Sequence, residues 1–175
     1  MPLEEFNLII STSRGNEENA CSEAWFLLGE LGDRESIVER TEISGLIVAR
    51  TRIDPFEAVN GLRRILRERP GEFRYILKVI PVEDVVRTDP EEIGRAVSRL
   101  AYKIGEDETF RVTVEKRHSS LPTGRIIEAA AKVIDRKVNL ERPDRIVLIE
   151  VLGGLTGISI IRPDDILSVV KERGG

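Results

Sequence analysis

Two hydrophobic periods alternate along this chain, and two of the places where one replaces the other are marked by Asp-Pro pairs. A period of two means a strand, and a period near 3.6 means a helix. At "DPFEAVNGLRRIL" Asp54 caps a helix and Pro55 takes its first position, where a missing N–H costs nothing. Phe56, Val59, Leu62, Ile65 and Leu66 then fall on one face, and "RPG" stops the helix. At "RTDPEEIGRAVSRL" the arrangement repeats: Thr88 or Asp89 caps, Pro90 follows, and Glu91 and Glu92 suit the positive end of the helix dipole. Ile93, Val97, Leu100 and Ile104 form the inner stripe.

The segments between and around these helices read as strands, with one further helix. "FNLIIST" is β-rich, and "EENACSEAWFLLGEL" places Ala20, Ala24, Leu27, Leu28 and Leu31 on one helical face. Core packing is expected to absorb Trp25 and Phe26, and Cys21 reads as a small buried hydrophobe. "SIVERT" and "GLIVART" flank a turn at Ser44-Gly45 and predict a hairpin, and "YILKVIPV" adds a strand. The resulting order, β-α-β-β-α-β, is the ferredoxin-like arrangement. After a boundary near Val85 to Asp89 come the Asp89 helix, the alternating strand "FRVTVEKR", a helix expected to run to about Lys137, and a hairpin of "DRIVLIEVLGG" with "TGISIIR". "PDDILSVVKE" is expected to close the chain as a helix. The fold class is therefore α/β (α+β), with an N-terminal domain over 1–87 and a second α/β unit over 88–175.

Composition narrows the function. A single cysteine and a single histidine exclude an internal disulfide and a Cys/His zinc site within one chain. No signal-peptide layout is present, and no apolar run approaches the ~18 residues of a membrane span, so a soluble, cytoplasmic protein is expected. The net charge is −4, but it is unevenly spread. From Arg111 to Arg145 nine cations oppose five carboxylates, whereas the residues before Arg111 carry fifteen against twenty-two. A basic second half points to one polyanion-facing surface.

"KRHSSLPTGR" concentrates that charge at a strand-to-helix turn. Lys116, Arg117 and His118 precede Ser119 and Ser120, and the helix that follows begins near Arg125. If that helix runs to Lys137, then Arg125, Lys132 and Arg136 align within roughly 20° on its outer face. Ile126, Ile127, Ala130, Val133 and Ile134 then face the core. Free N–H groups at the helix start, with flanking cations and hydroxyls, suit a phosphate backbone. Solvated surface cations, with Glu128 pairing Lys132, are the competing explanation. "GGLTG" lacks the Lys-Ser/Thr of a P-loop and reads as a hairpin turn, and no set of residues is placed for catalysis.

The residues "FRVTVEKRHSS", the helix "RIIEAAAKVIDRKVNL", "VNL" followed by Pro143-Asp144, the strand "RPDRIVLIEVLGG" and "GISII" resemble a THUMP domain, an RNA-binding module of tRNA-modifying proteins. The first part resembles the ferredoxin-like domain that usually precedes it. A THUMP chain without a catalytic domain resembles the tRNA acetylation adaptors. That resemblance implies a non-enzymatic tRNA-binding protein with no cofactor of its own. It would present the acceptor stem and 3′ end to a separate RNA cytidine acetyltransferase, which uses acetyl-CoA and ATP to make N4-acetylcytidine. Its RNA-facing residues would be Lys116, Arg117, His118, Ser119, Ser120, Arg125, Lys132 and Arg136, with Lys137, Arg142 and Arg145 secondary. Service to another tRNA modification, methylation or thiolation, and binding of a phosphorylated metabolite remain the alternatives.

Overall fold

The computed structural model describes residues 3–174. The chain divides into two compact units, Met1–Val82 with Asp164–Gly175, and Glu83–Pro163. The expected division at 87/88 is therefore corrected twice. Residues 83–87 belong to the second unit, and the residues after Pro163 belong to the first.

In the first unit, β1 (Leu8–Ser11), α1 (Glu17–Glu30), β2 (Ile37–Arg40), β3 (Leu46–Arg50), α2 (Pro55–Glu68) and β4 (Lys78–Pro81) follow in the β-α-β-β-α-β order. The sheet runs β10-β4-β1-β3-β2 and its pairs are antiparallel, with β10 being Leu167–Ser168. Asp54 caps α2 as its Asp-Pro start requires: its carboxylate accepts from the Phe56 and Glu57 N–H groups at 2.9 and 3.2 Å. Ala20, Ala24, Leu27 and Leu28 of α1 pack with Leu62, Ile65 and Leu66 of α2 over Leu8, Ile10 and Ile47 of the sheet. Glu17 ties the start of α1 to the β2–β3 turn, accepting from Gly45 N at 2.8 Å and Gly15 N at 3.0 Å. These N–H groups, Gly45's foremost, lower its pKa.

Two expectations fail in α1 and at the C-terminal end. Trp25 and Phe26 are 53% and 47% exposed. The small Ala20–Ala24 seam sets the inner face, and residues one and two positions past Ala24 are rotated by about 100° and 200° away from it. Cys21 is only partly buried against this core, and that burial raises its thiol pKa. The segment after Pro163 is not one helix. Leu167 and Ser168 pair with Val79 and Lys78 of β4, and only then does α5 (Val169–Gly174) begin. Leu167 and Val169 are buried in the first core, which fixes this docking.

The second unit begins with β5 (Asp84–Arg87), a strand where a boundary was expected, because it pairs in antiparallel fashion with β9 (Leu155–Ile161). The remaining elements are α3 (Pro90–Leu100), β6 (Thr109–Arg117), α4 (Thr123–Ala131), β7 (Lys137–Val138) and β8 (Arg145–Leu152). The sheet order is β5-β9-β8-β6-β7. β6 lies parallel to both β7 and β8, and β8 and β9 form the expected hairpin across Gly153 and Gly154. Ile93, Ala96 and Val97 of α3 and Ile126 and Ala130 of α4 share a core with Val147, Ile149, Val151, Ile158 and Ile160. Asp89 is the cap of α3, accepting from Glu92 N at 3.1 Å. No helix among the described residues is long and apolar enough to cross a membrane.

Candidate nucleic-acid interface

The parallel pairing of β6 with β8 decides which cations meet. Register runs from Phe110 opposite Arg145 to Arg117 opposite Leu152. The carboxyl end of β6, the end of β8 and the start of α4 therefore lie at one end of the sheet. Lys116, Arg117, His118, Ser119 and Ser120 are gathered there. Arg145 sits at the other end, seven strand residues away, about 23 Å at ~3.3 Å per residue. Lys137 lies at that same end in β7, opposite Thr109, with β6 between the two. Arg142 lies in the loop whose Asn139 and Asp144 N–H groups reach Phe110 O and Thr109 O. The secondary candidates are thus not part of the turn.

The basic groups at the turn end differ in how they are held. Lys116 is exposed and its Nζ donates to Leu121 O at 2.8 Å. Arg117 is half-buried and pairs at 3.0 Å with Glu150, which is only 2% exposed. His118 is exposed in a left-handed backbone conformation, φ 56°, and turns the chain away from the strand. The Ser119 hydroxyl accepts from Leu121 N, closing the next turn, while Ser120 is exposed. Gly153 N donates to Arg117 O, and the Thr88 hydroxyl donates to Gly153 O, so the β8–β9 turn is fastened to the same end. Pro122 is the N-cap of α4, and no side chain caps the helix. Its first-turn N–H groups face the turn with the positive end of the dipole.

The expected row of three cations along one helix is corrected. α4 ends at Ala131, with Lys132 its C-cap, rather than running to Lys137. The sequence beyond supplies Asp, a β-branched Val and Asn, all poor helix formers, and β7 claims Lys137 and Val138 for the sheet. Arg136 therefore lies off the helix. Its Nε donates to Ile104 O at 3.2 Å and to Gly105 O at 2.9 Å, closing the chain after α3. Ile127, expected in the core, is 39% exposed. Arg145 is also engaged, with Glu108 at 3.4 Å. Glu108's pKa is lowered first by the Gly105 N–H and then by Arg145.

Arg125 and Lys132 remain exposed on α4 and make no ion pair among the described residues, and the Glu128–Lys132 pair is not formed. Both face the groove between α4 and α3. On the opposite wall stands Arg95, which reading the sequence missed. Its position four residues after Glu91 marks it as an ordinary surface pair partner, and only the packing of α3 on α4 brings it to the groove.

A parallel strand pair thus brings exposed cations to the start of a helix that no side chain caps, within an α/β unit. Residues 87–161 match the THUMP domain, and the chain carries that domain there. A THUMP domain implies RNA binding. An uncharacterized protein of Methanocaldococcus jannaschii, MJ0421, is 32% identical across 56% of this chain and 30% of its own length. Among solved structures, PH1313 from Pyrococcus horikoshii aligns at TM-score 0.68 and 19% identity over 94% of this chain and 55% of its own. A 4-thiouridine synthetase in complex with RNA and ATP aligns at TM-score 0.57 and 16% identity, covering 94% of this chain and 42% of that one. TrmN from Thermus thermophilus aligns at 0.55 and 16%, covering 89% and 46%. At these identities the structural likeness is one of fold. The chain spans about a third to a half of the proteins it matches.

Proposed function

We propose that this chain is a non-catalytic tRNA-binding module that delivers the acceptor stem and 3′ end of tRNA to a separate modifying enzyme. Lys116, Arg125 and Lys132 contact phosphates, while His118, Ser119 and Ser120 line the approach to the α4 N-terminus. The observation that carries this reading is the open anion site: an uncapped nine-residue helix start beside exposed cations. Arg117 shapes the turn through Glu150, and Arg136 and Arg145 act within the fold, so they contribute to RNA binding indirectly. Lys137 and Arg142, about 23 Å away, would meet a different part of a bound tRNA. Aromatic residues are only 5% of the chain, which favours recognition of phosphate and shape over stacking.

The reaction served is cytidine acetylation by a separate acetyltransferase using acetyl-CoA and ATP. The likeness in fold to a 4-thiouridine synthetase and to TrmN favours, as a second reading, service to thiolation or methylation. Binding of intact tRNA and of tRNA trimmed of its CCA end, at two salt concentrations, tests the RNA grip. The grip requires binding that weakens with salt and with trimming, because released counterions report phosphate contacts. Absence of binding at low salt refutes it. Nucleoside profiling of tRNA after gene deletion then separates the reactions. Loss of N4-acetylcytidine supports acetylation, and its retention alongside loss of another modification supports the second reading.

A further inference from the structure

α3 and α4 approach closely because residue 94 is glycine: a Cβ there would stand 3.2 Å from the Ala129 carbonyl oxygen. Below this contact the helices enclose an open groove of about 470 Å³, within the range of roughly 300–1,000 Å³ typical of small-ligand sites. Its walls are unlike its floor. Arg95 and Ser98 stand on the α3 side, and Arg125 and Lys132 on the α4 side. Val133, with the 6%-exposed Ala129 behind it, supplies apolar surface on the α4 side. The one carboxylate in the lining, Glu91, lies 3.8 Å from Arg95 in a long, exposed contact, so the groove carries two net positive charges.

We propose that this groove holds one nucleotide of a bound RNA strand. Its phosphate sits among Arg95, Arg125 and Lys132, and its ribose and base lie against Val133. Arg95 thereby becomes an RNA-binding residue of α3, and Ser98 offers a hydroxyl to the same phosphate or ribose. The chemistry follows from the lining: three long cations on facing walls neutralise a phosphodiester, and the apolar surface of Val133 beside them accepts part of an unstacked base. Glu91 opposes binding and occupies Arg95 when the groove is empty. The inference rests on the tRNA-binding reading and gives that surface a specific subsite.

The test measures tRNA affinity against salt for the full chain and three variants. Arg95→Gln is expected to weaken binding severalfold and to make the salt slope shallower by about 0.7, the value of one single-strand phosphate contact. Arg95→Lys should keep the wild-type slope. Glu91→Gln should tighten binding about two- to threefold, an outcome that damage to the fold cannot mimic. Wild-type tRNA binding with Arg95→Gln and Glu91→Gln indistinguishable from it would overturn the groove and leave the tRNA-binding reading standing. No tRNA binding by the wild type would overturn both. AMP, titrated as the free-nucleotide probe, separates the sources. Saturable AMP capture that requires Arg95, with tRNA affinity indifferent to Arg95, assigns the groove to a free nucleotide and overturns the proposal.

Discussion

Replacing Pro122 by Asp sets the stability of α4 against its ligand. Pro122 already has extended backbone, φ −60° and ψ 133°, which suits an N-cap, but it has no side-chain acceptor. An Asp there would accept from the first-turn N–H groups, stabilising the helix by about 1 kcal/mol. Its charge at the positive end of the dipole would add about 0.3–1 kcal/mol. Loss of the proline ring loosens the unfolded chain and costs about 0.4–1 kcal/mol. The capping gains win narrowly, and Pro122→Asp should be more stable by about 0.5–1 kcal/mol, a melting rise of roughly 2 °C for a chain of this size. The same carboxylate would fill the N–H groups proposed for phosphate and repel it. Two lost hydrogen bonds of about 0.5–1 kcal/mol each, with about 1 kcal/mol of repulsion, predict tRNA binding weaker by roughly 30- to 150-fold. Thermal melts and a tRNA binding curve measure both, with Asn60→Asp, on α2 of the first unit, as a control of equal charge change. A more stable Pro122→Asp protein that binds tRNA like the control would refute the idea that α4 is left uncapped for a ligand.

Charge reversal at Arg125 and Lys132 together should abolish measurable tRNA binding at moderate salt and leave the melting temperature within a few degrees, since neither makes an ion pair among the described residues. Arg136→Ala should do the reverse, destabilising by about 1–2 kcal/mol through the lost bonds to Ile104 O and Gly105 O, with a smaller effect on tRNA affinity than Lys132→Ala; melts and binding curves together check this. Gly45→Ala should destabilise by at least about 1 kcal/mol in denaturant unfolding, because φ is +78° and the new Cβ would meet Thr12 O at 2.9 Å. Glu17 is held below its ordinary pKa of 4.5 by the Gly45 N–H, so it stabilises the fold above that pH, and the contribution fades as pH falls through the folded-state value. Glu17→Gln should therefore flatten the stability curve below about pH 4.5, and acid titration of both proteins by circular dichroism reads the difference.

Local signals were legible and long-range ones were not. The helix starts at Asp54-Pro55 and Asp89-Pro90, the Ser44-Gly45 hairpin and the Gly153-Gly154 hairpin are each specified by residues within one turn of each other. β7 and β10 have two residues each, too few to express a period, and exist because another strand is waiting for them. Missing β7 made α4 too long and put Arg136 on a helical face it does not have. Trp25 and Phe26 mislead because their size suggests core, while the phase set by Ala20 and Ala24 turns them outward. The cations of the turn were visible as a group because strand and helix carry them consecutively. Arg95 could not be, since its partners across the groove are thirty or more residues away and nothing in α3 itself points to them.

The return of β10 to the first sheet changes the order in which this chain can be built. The four strands β1 to β4 emerge from the ribosome first, but the fifth is made after the whole second unit. Arg63 shows the same dependence: it donates to the carbonyl of Asp164 and pairs with Glu172 at 3.0 Å, partners more than a hundred residues later. The second unit is thus an insertion within the first, complete in sequence while its host still awaits a strand and a helix. A chain halted at Pro163 would carry the entire THUMP unit on a first unit with Leu167 and Val169 missing from its core. Proteolysis after that point would strike the fold of the N-terminal unit, not that of the second.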